Sequence, residues 1–194
     1  MIFSIARARL LQLAWWIGAY LPPDRRVLER TILPRLAQAH PQGHVLFVGV
    51  KFYTRDYPRI FPQGNLVTLD RDPRVSRHGA REHIVDRLEN VAVHAGRRRF
   101  AAVVVNGVIG WGIDTLDAAE AAIAACAENL VDGGWLIVGV NERRPTTPDL
   151  TRLASWRFFE PAPFPELNAA RIVVPTPFAE REHTFLFFRK RAAA

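Results

Sequence analysis

Cysteine is all but missing from this chain: Cys126 is the only one in 194 residues. An internal disulfide and any cysteine-based zinc site are therefore excluded. The run Ala121-Ala-Ile-Ala-Ala-Cys126-Ala offers no neighbouring charge to activate a thiol, so a packed side chain is expected there, not a nucleophile. A reducing cytoplasm fits such cysteine usage. Lysine is as scarce, occurring only at Lys51 and Lys190, so nearly all of the 26 cationic side chains are arginine spread along the chain. The formal charge of +7 would ordinarily raise nucleic acid as a partner. The one dense run, Arg97-Arg98-Arg99, lacks the interleaved aromatic residues of a base-stacking platform and reads as a solvated loop. Nucleic acid is not the expected partner.

Other absences narrow the chemistry. No compact carboxylate cluster with ligand spacing supports a metal site. There is no Gly-x-Ser-x-Gly elbow and no Gly-Lys-Ser/Thr phosphate loop. Internal repeats, low-complexity stretches and long linkers are also lacking. The N-terminal apolar run Leu10–Leu21 is shorter than the ~20 residues needed to span a bilayer, and Pro22-Pro23 ends it. It has no convincing small-x-small cleavage site either. A helix packed on the domain is expected for 10–21; peripheral contact with a membrane through Trp15, Trp16 and Tyr20 is the alternative.

What is present is a series of apolar runs. His44–Lys51 and Leu66–Asp70 are two of them, the first ending near Gly49 and the second in an acid. Gly49 and Asp70 are separated by about 20 residues, the spacing of a nucleotide-binding β-α-β unit. The first strand must turn sharply where a ligand would lie, and the second offers a carboxylate to two ribose hydroxyls. A nucleoside-containing cofactor is the ligand class this spacing points to. Further strands are expected at His83–Asp86, Phe100–Asn106, Trp135–Asn141, Arg171–Val174 and His183–Arg189. Helices are expected over 25–38, capped by Asp24 and kinked at Pro34, over 54–61, capped by Thr54, and from Asp114 or Thr115 through Leu130. Alternation of strand and helix implies an α/β fold with a mostly parallel, doubly wound sheet. The expected organisation is a helical extension, 1–40, packed on one α/β domain, 41–194.

From about residue 40 to 190 this order resembles the class I S-adenosylmethionine-dependent methyltransferases, which are Rossmann-like. Asp132-Gly133-Gly134 before the apolar strand Trp135-Leu-Ile-Val is especially similar, as is a final antiparallel pair of strands. By position, Gly49 matches the family's first glycine, Asp70 the ribose-binding acid and Asp86 the adenine-contacting position. Asn106 through Trp111 fills the loop after strand four, which faces cofactor and substrate. The resemblance implies S-adenosyl-L-methionine as cofactor and Gly49, Lys51, Asp70, Asp86 and Asn106 as its binding residues, with Lys51 able to pair with its carboxylate. Phe47, Lys51 and Tyr53 stand where the family has an acid and two further glycines, so the first loop must be narrowed or re-routed.

Tyr53, Tyr57 and Trp111 are candidates for the acceptor pocket, and Asn141 lies on the strand-end rim where open α/β sheets bind ligands. Methyl transfer is an in-line displacement that positioning alone can accelerate, so no catalytic base need be visible, and none of the six histidines stands out. The expected activity is methylation of a small molecule. A methyltransferase-like binding module without catalysis is the alternative, followed by a nicotinamide-dependent oxidoreductase, for which Lys51-Phe-Tyr53 crowds the pyrophosphate position.

Overall fold

The computed structural model describes residues 10–11, 13–15, 19–177 and 182–192. Its centre is an eight-stranded sheet, composed of β1 (Val45–Val48), β2 (Leu66–Asp70), β3 (Glu82–Val85), β4 (Phe100–Asn106), β5 (Leu130–Val140), β6 (Phe159–Pro161), β7 (Arg171–Pro175) and β8 (Glu182–Lys190). The order is β3-β2-β1-β4-β5-β8-β6, with β7 also paired to β8. The first five strands are parallel, and β8 runs antiparallel between β5 on one side and β6 and β7 on the other. β1 and β4 are buried at every residue because both sheet faces are covered, which is why they read as unbroken apolar runs.

On one face lies α4 (Leu116–Asn129), which packs Ala119, Ala122, Ile123 and Cys126 against the apolar layer containing Leu46, Val103, Val105 and Val138. Thr115 caps it, its Oγ1 accepting from Ala118 N. Cys126 is fully buried, and burial pushes its thiol up to about 12, so it is a packing residue. The helix passes directly into β5. Residues 131–134 then bulge away from β4, since Phe100 pairs with Leu130 but Ala102 with Trp135.

The other face is covered by one helical rod in three pieces: α1 (Pro23–Val27), a π turn (Leu28–Ile32) and α2 (Leu33–Ala39). Leu28, Ile32, Leu33 and Leu36 meet Val45, Phe47, Ala102 and Val104 there. The expected kink takes the form of the π turn. Pro34 has no N–H to bond the preceding turn, and the rod widens so that Leu33 N donates to Leu28 O. Asp24 is not the cap: the helix opens on Pro23, whose fixed φ suits the first turn, and no side chain caps it.

Instead of a helix over 54–61 there are two 3-10 turns, Phe52–Thr54 and Tyr57–Ile60. Arg55 and Asp56 separate the two, Pro58 sits in the first turn of the second, and each stretch is too short to sustain an α-helix. The short α3 (Val91–Ala95) and the strand β6 lie outside the expected elements. Of the N-terminal run, Trp16 lies outside the described residues, while Trp15 stacks on Tyr53 with ring centroids 4.8 Å apart. Among the described residues, no helix is long and apolar enough to cross a membrane.

Candidate functional site

The chain winds from β1 outward through β2 to β3, then returns to place β4 on the other side of β1. The carboxyl ends of β1 and β4 therefore flank a topological switch point, where open α/β sheets bind ligands. Gly49, immediately after β1, has φ +99°, and a Cβ there would lie 2.5 Å from Asn106 O at the end of β4. Only glycine allows the two strand ends to approach so closely. Gly49 N stays on the ladder, donating to Leu69 O at 3.0 Å.

Asp70 closes the same corner from β2. Its Oδ2 accepts from Val50 N and its Oδ1 from Asp72 N, both at 2.9 Å. It thus fastens the first loop to the end of β2 and caps its own turn, while each oxygen keeps a second acceptor direction. The residues in the family's glycine positions fit without strain. Lys51 has φ −145°, ordinary extended backbone, and its side chain is exposed. Thr54, buried, holds the loop by donating to His78 O at 2.9 Å.

Tyr53 turns beneath α1. Its hydroxyl accepts from Arg25 Nη2 at 2.8 Å, and the Arg25 guanidinium sits 4.1 Å from the Tyr53 ring centroid. Arg25 is 7% exposed and reaches Tyr57 as well, at 3.5 Å, while the Tyr57 hydroxyl donates to Glu29 Oε1 at 2.9 Å. Burial raises the pKa of Asp24, Glu29 and both tyrosines above their usual values. Tyr57 is a core residue, edge-on to Phe47 and 2% exposed, and offers no open face to a ligand.

Asn106, Asn141 and His183 meet across the ends of β4, β5 and β8. His183 Nε2 lies 3.1 Å from Asn106 Oδ1, and Nδ1 lies 2.5 Å from Asn141 Oδ1. Gly139 makes the space, since a Cβ there would collide with both Asn106 Oδ1 and His183 Nε2. Burial, with the Arg25 charge added, lowers the His183 pKa to about 3, so the ring is neutral.

Two candidates stand apart from this group. Asp86, beyond the end of β3, accepts from Arg87 N, Asn90 Nδ2 and His94 Nε2. Its bonds to His94 and Asn90, then to Arg87 N, hold its carboxyl down at about 2. Trp111 is half exposed in the loop after β4, with the Arg144 guanidinium 3.5 Å from its ring centroid. Arg144 Nε and Thr146 Oγ1 both donate to Gly110 O, tying that loop to the one after β5. His40 and His44 have His-x-x-x-His spacing but straddle the turn into β1. Among the described residues, no group of three or more His, Cys, Asp or Glu is arranged to hold a metal ion.

The architecture has solved counterparts. NodS, an N-methyltransferase from Bradyrhizobium japonicum WM9 solved with S-adenosyl-l-homocysteine, superposes with a TM-score of 0.63 at 15% identity, over 84% of this chain and 87% of that one. The fold is that of class I S-adenosylmethionine-dependent methyltransferases. This methyltransferase fold recurs in the 1,6-didemethyltoxoflavin-N1-methyltransferase of Burkholderia thailandensis, with a TM-score of 0.55, 16% identity and coverage of 96% of this chain and 90% of the other. An rRNA methylase from Streptococcus thermophilus matches with a TM-score of 0.55 at 15% identity, over 88% and 97%. No family model and no curated protein matches the chain.

Two site residues had escaped the sequence reading. Arg25 looks like one more arginine of a surface helix, and only the packing of α1 over Tyr53 gives it a role. His183 did carry a signal, for it shares alternate spacing with Phe185 and Phe187 and so belongs to the inward face of β8.

Proposed function

We propose that the protein binds S-adenosyl-L-methionine and transfers its methyl group to a small molecule. The observation that carries the reading is the corner formed by Gly49, Val50 and Asp70. A glycine that cannot be replaced sits at the switch point, and a carboxylate with spare acceptor directions stands beside it. Asp70 would receive the ribose hydroxyls, and the Gly49–Lys51 backbone would pass along the methionine portion, with Lys51 available to its carboxylate. Asn106 lies on the same crevice from the β4 side. When bound, the cofactor supplies a methyl group already activated on a sulfonium.

What this chain contributes is position. Asn106, Asn141 and Trp111 border the space beyond β4 and β5, and the Trp15–Tyr53–Arg25 stack covers its α1 side. The one dense basic run, Arg97-Arg98-Arg99, carries no interleaved aromatic residues to stack a base, which favours a small acceptor over RNA. Known proteins of this fold include methyltransferases named for a small molecule and others named for rRNA. A second reading, a cofactor-binding module without turnover, draws on Lys51 and Tyr53 in place of the family's glycines.

Calorimetric titration with S-adenosylmethionine tests the proposal. Low-micromolar binding is expected, weakened about 30-fold by Asp70→Ala, as loss of hydrogen bonds to a charged acceptor implies. A folded protein that binds neither S-adenosylmethionine nor S-adenosylhomocysteine would sink it. Cofactor binding with no methyl transfer to any of a broad panel, RNA included, would favour the second reading.

A further inference from the structure

We infer that Arg25 is a positioning residue for cofactor binding: it holds the Tyr53 ring beneath α1 and so keeps the loop after β1 open to a ligand. The inference rests on the methyltransferase reading for the identity of that ligand.

For stability alone, a buried arginine is a poor choice. Arg25 is 7% exposed, and its Nε, 3.7 Å from Asp24 Oδ2, has no hydrogen-bond partner among the described residues. An apolar side chain of similar volume in such a place is often neutral or stabilising. What the guanidinium does is reach from α1 to the crevice. Its Nη2 donates to the Tyr53 hydroxyl at 2.8 Å, and the same nitrogen lies 4.0 Å from where a Cβ of Gly107 would be. One buried cation thus borders both loops that flank the switch point, the one after β1 and the one after β4.

Tyr53 needs such a hold. The backbone around it is fixed on both sides: Val50 N donates to Asp70 Oδ2, Lys51 N to Thr54 Oγ1, and Thr54 Oγ1 to His78 O. The freedom left at Tyr53 is the rotamer of a bulky, half-buried ring. Arg25 settles it twice, through the hydroxyl and through the ring face, with its guanidinium carbon 4.1 Å from the centroid. Trp15 stacks on the same ring at 4.8 Å, and Nη1 reaches the Tyr57 hydroxyl at 3.5 Å. A planar fork serves two hydroxyls at once, which the point charge of a lysine does not. A large side chain at position 53 is thereby kept clear of the Gly49–Lys51 backbone, along which the cofactor would pass.

Titration of the full chain with S-adenosylhomocysteine tests the coupling. Arg25→Lys keeps a cation beside Asp24 and is expected to weaken binding about 10-fold. Tyr53→Gly removes the ring that must be held and is expected to stay within about 3-fold of wild type. The double substitution is expected to stay there too, because nothing is left for Arg25 to hold. No loss in Arg25→Lys, or the same loss with and without Tyr53, would overturn the inference. So would a loss from Tyr53→Gly alone as large as that from Arg25→Lys. Hydrogen exchange of the ligand-free protein gives a second readout. In Arg25→Lys, amides over 51–57 are expected to exchange about 10-fold faster while β1 and β4 keep the wild-type rate. Faster exchange throughout the molecule, or no change in the loop, would also overturn it. Failure of the wild-type protein to bind S-adenosylhomocysteine would count against the cofactor reading, while exchange would still decide whether Arg25 holds the first loop.

Discussion

At Gly49 two demands meet in one residue, a left-handed φ and a neighbour too close for any Cβ. Gly49→Ala must both strain the backbone and push β1 from β4. A loss of about 2 kcal/mol in folding free energy is expected from the conformation alone, measured as a lower urea midpoint. The Gly49–Asp70 pair was legible in the sequence because strand, turn and acid lie within one local unit, where spacing alone sets geometry. Arg25 and His183 were not. Asn106 and His183 are 77 residues apart, and their contact exists only because β8 inserts beside β5. Tyr57 shows the converse: its nearness in sequence to the first loop suggested a pocket, but its ring faces the core beside Phe47.

Among the elements, the long apolar strands could be read because burial on both faces leaves them little freedom of composition. The parallel sheet, its antiparallel end and α4 are found as expected. The short pieces were hidden for a physical reason. A three-residue strand such as β6 carries no period, and it exists because β8 offers it a partner. The 3-10 turns after β1 are likewise settled by tertiary bonds such as that of Thr54 to His78 O. By contrast, the cap of α4 is local. Thr115→Ala removes the acceptor for Ala118 N and is expected to cost about 1 kcal/mol, lowering the melting temperature by about 3 °C.

For the whole molecule, the buried polar layer under α1 makes stability depend on pH in a definite direction. His183 titrates near 6.5 when unfolded and at about 3 when folded, because burial disfavours its charged form. Between those values the unfolded chain holds the extra proton. Its contribution is therefore complete above pH 6.5 and is lost as pH falls toward 3. Asp24 and Glu29 oppose this, since burial raises their pKa and protonation relieves a buried charge. The histidine share is isolated by comparison: the drop in urea midpoint from pH 7 to pH 5 is expected to be smaller in His183→Gln than in wild type. Equal drops would show that the ring is not the group responsible.

The two margins of the sheet have a consequence for behaviour at high concentration. β3 is four residues long and carries Glu82 within ion-pairing reach of Arg98. At the opposite margin, β6 and β7 each end in a proline, Pro161 and Pro175, and neither exceeds five residues. Short, charged or proline-ended borders give an incoming strand of another molecule little ladder to extend. The fold thus carries its own resistance to edge-to-edge polymerisation, independent of anything bound at its centre.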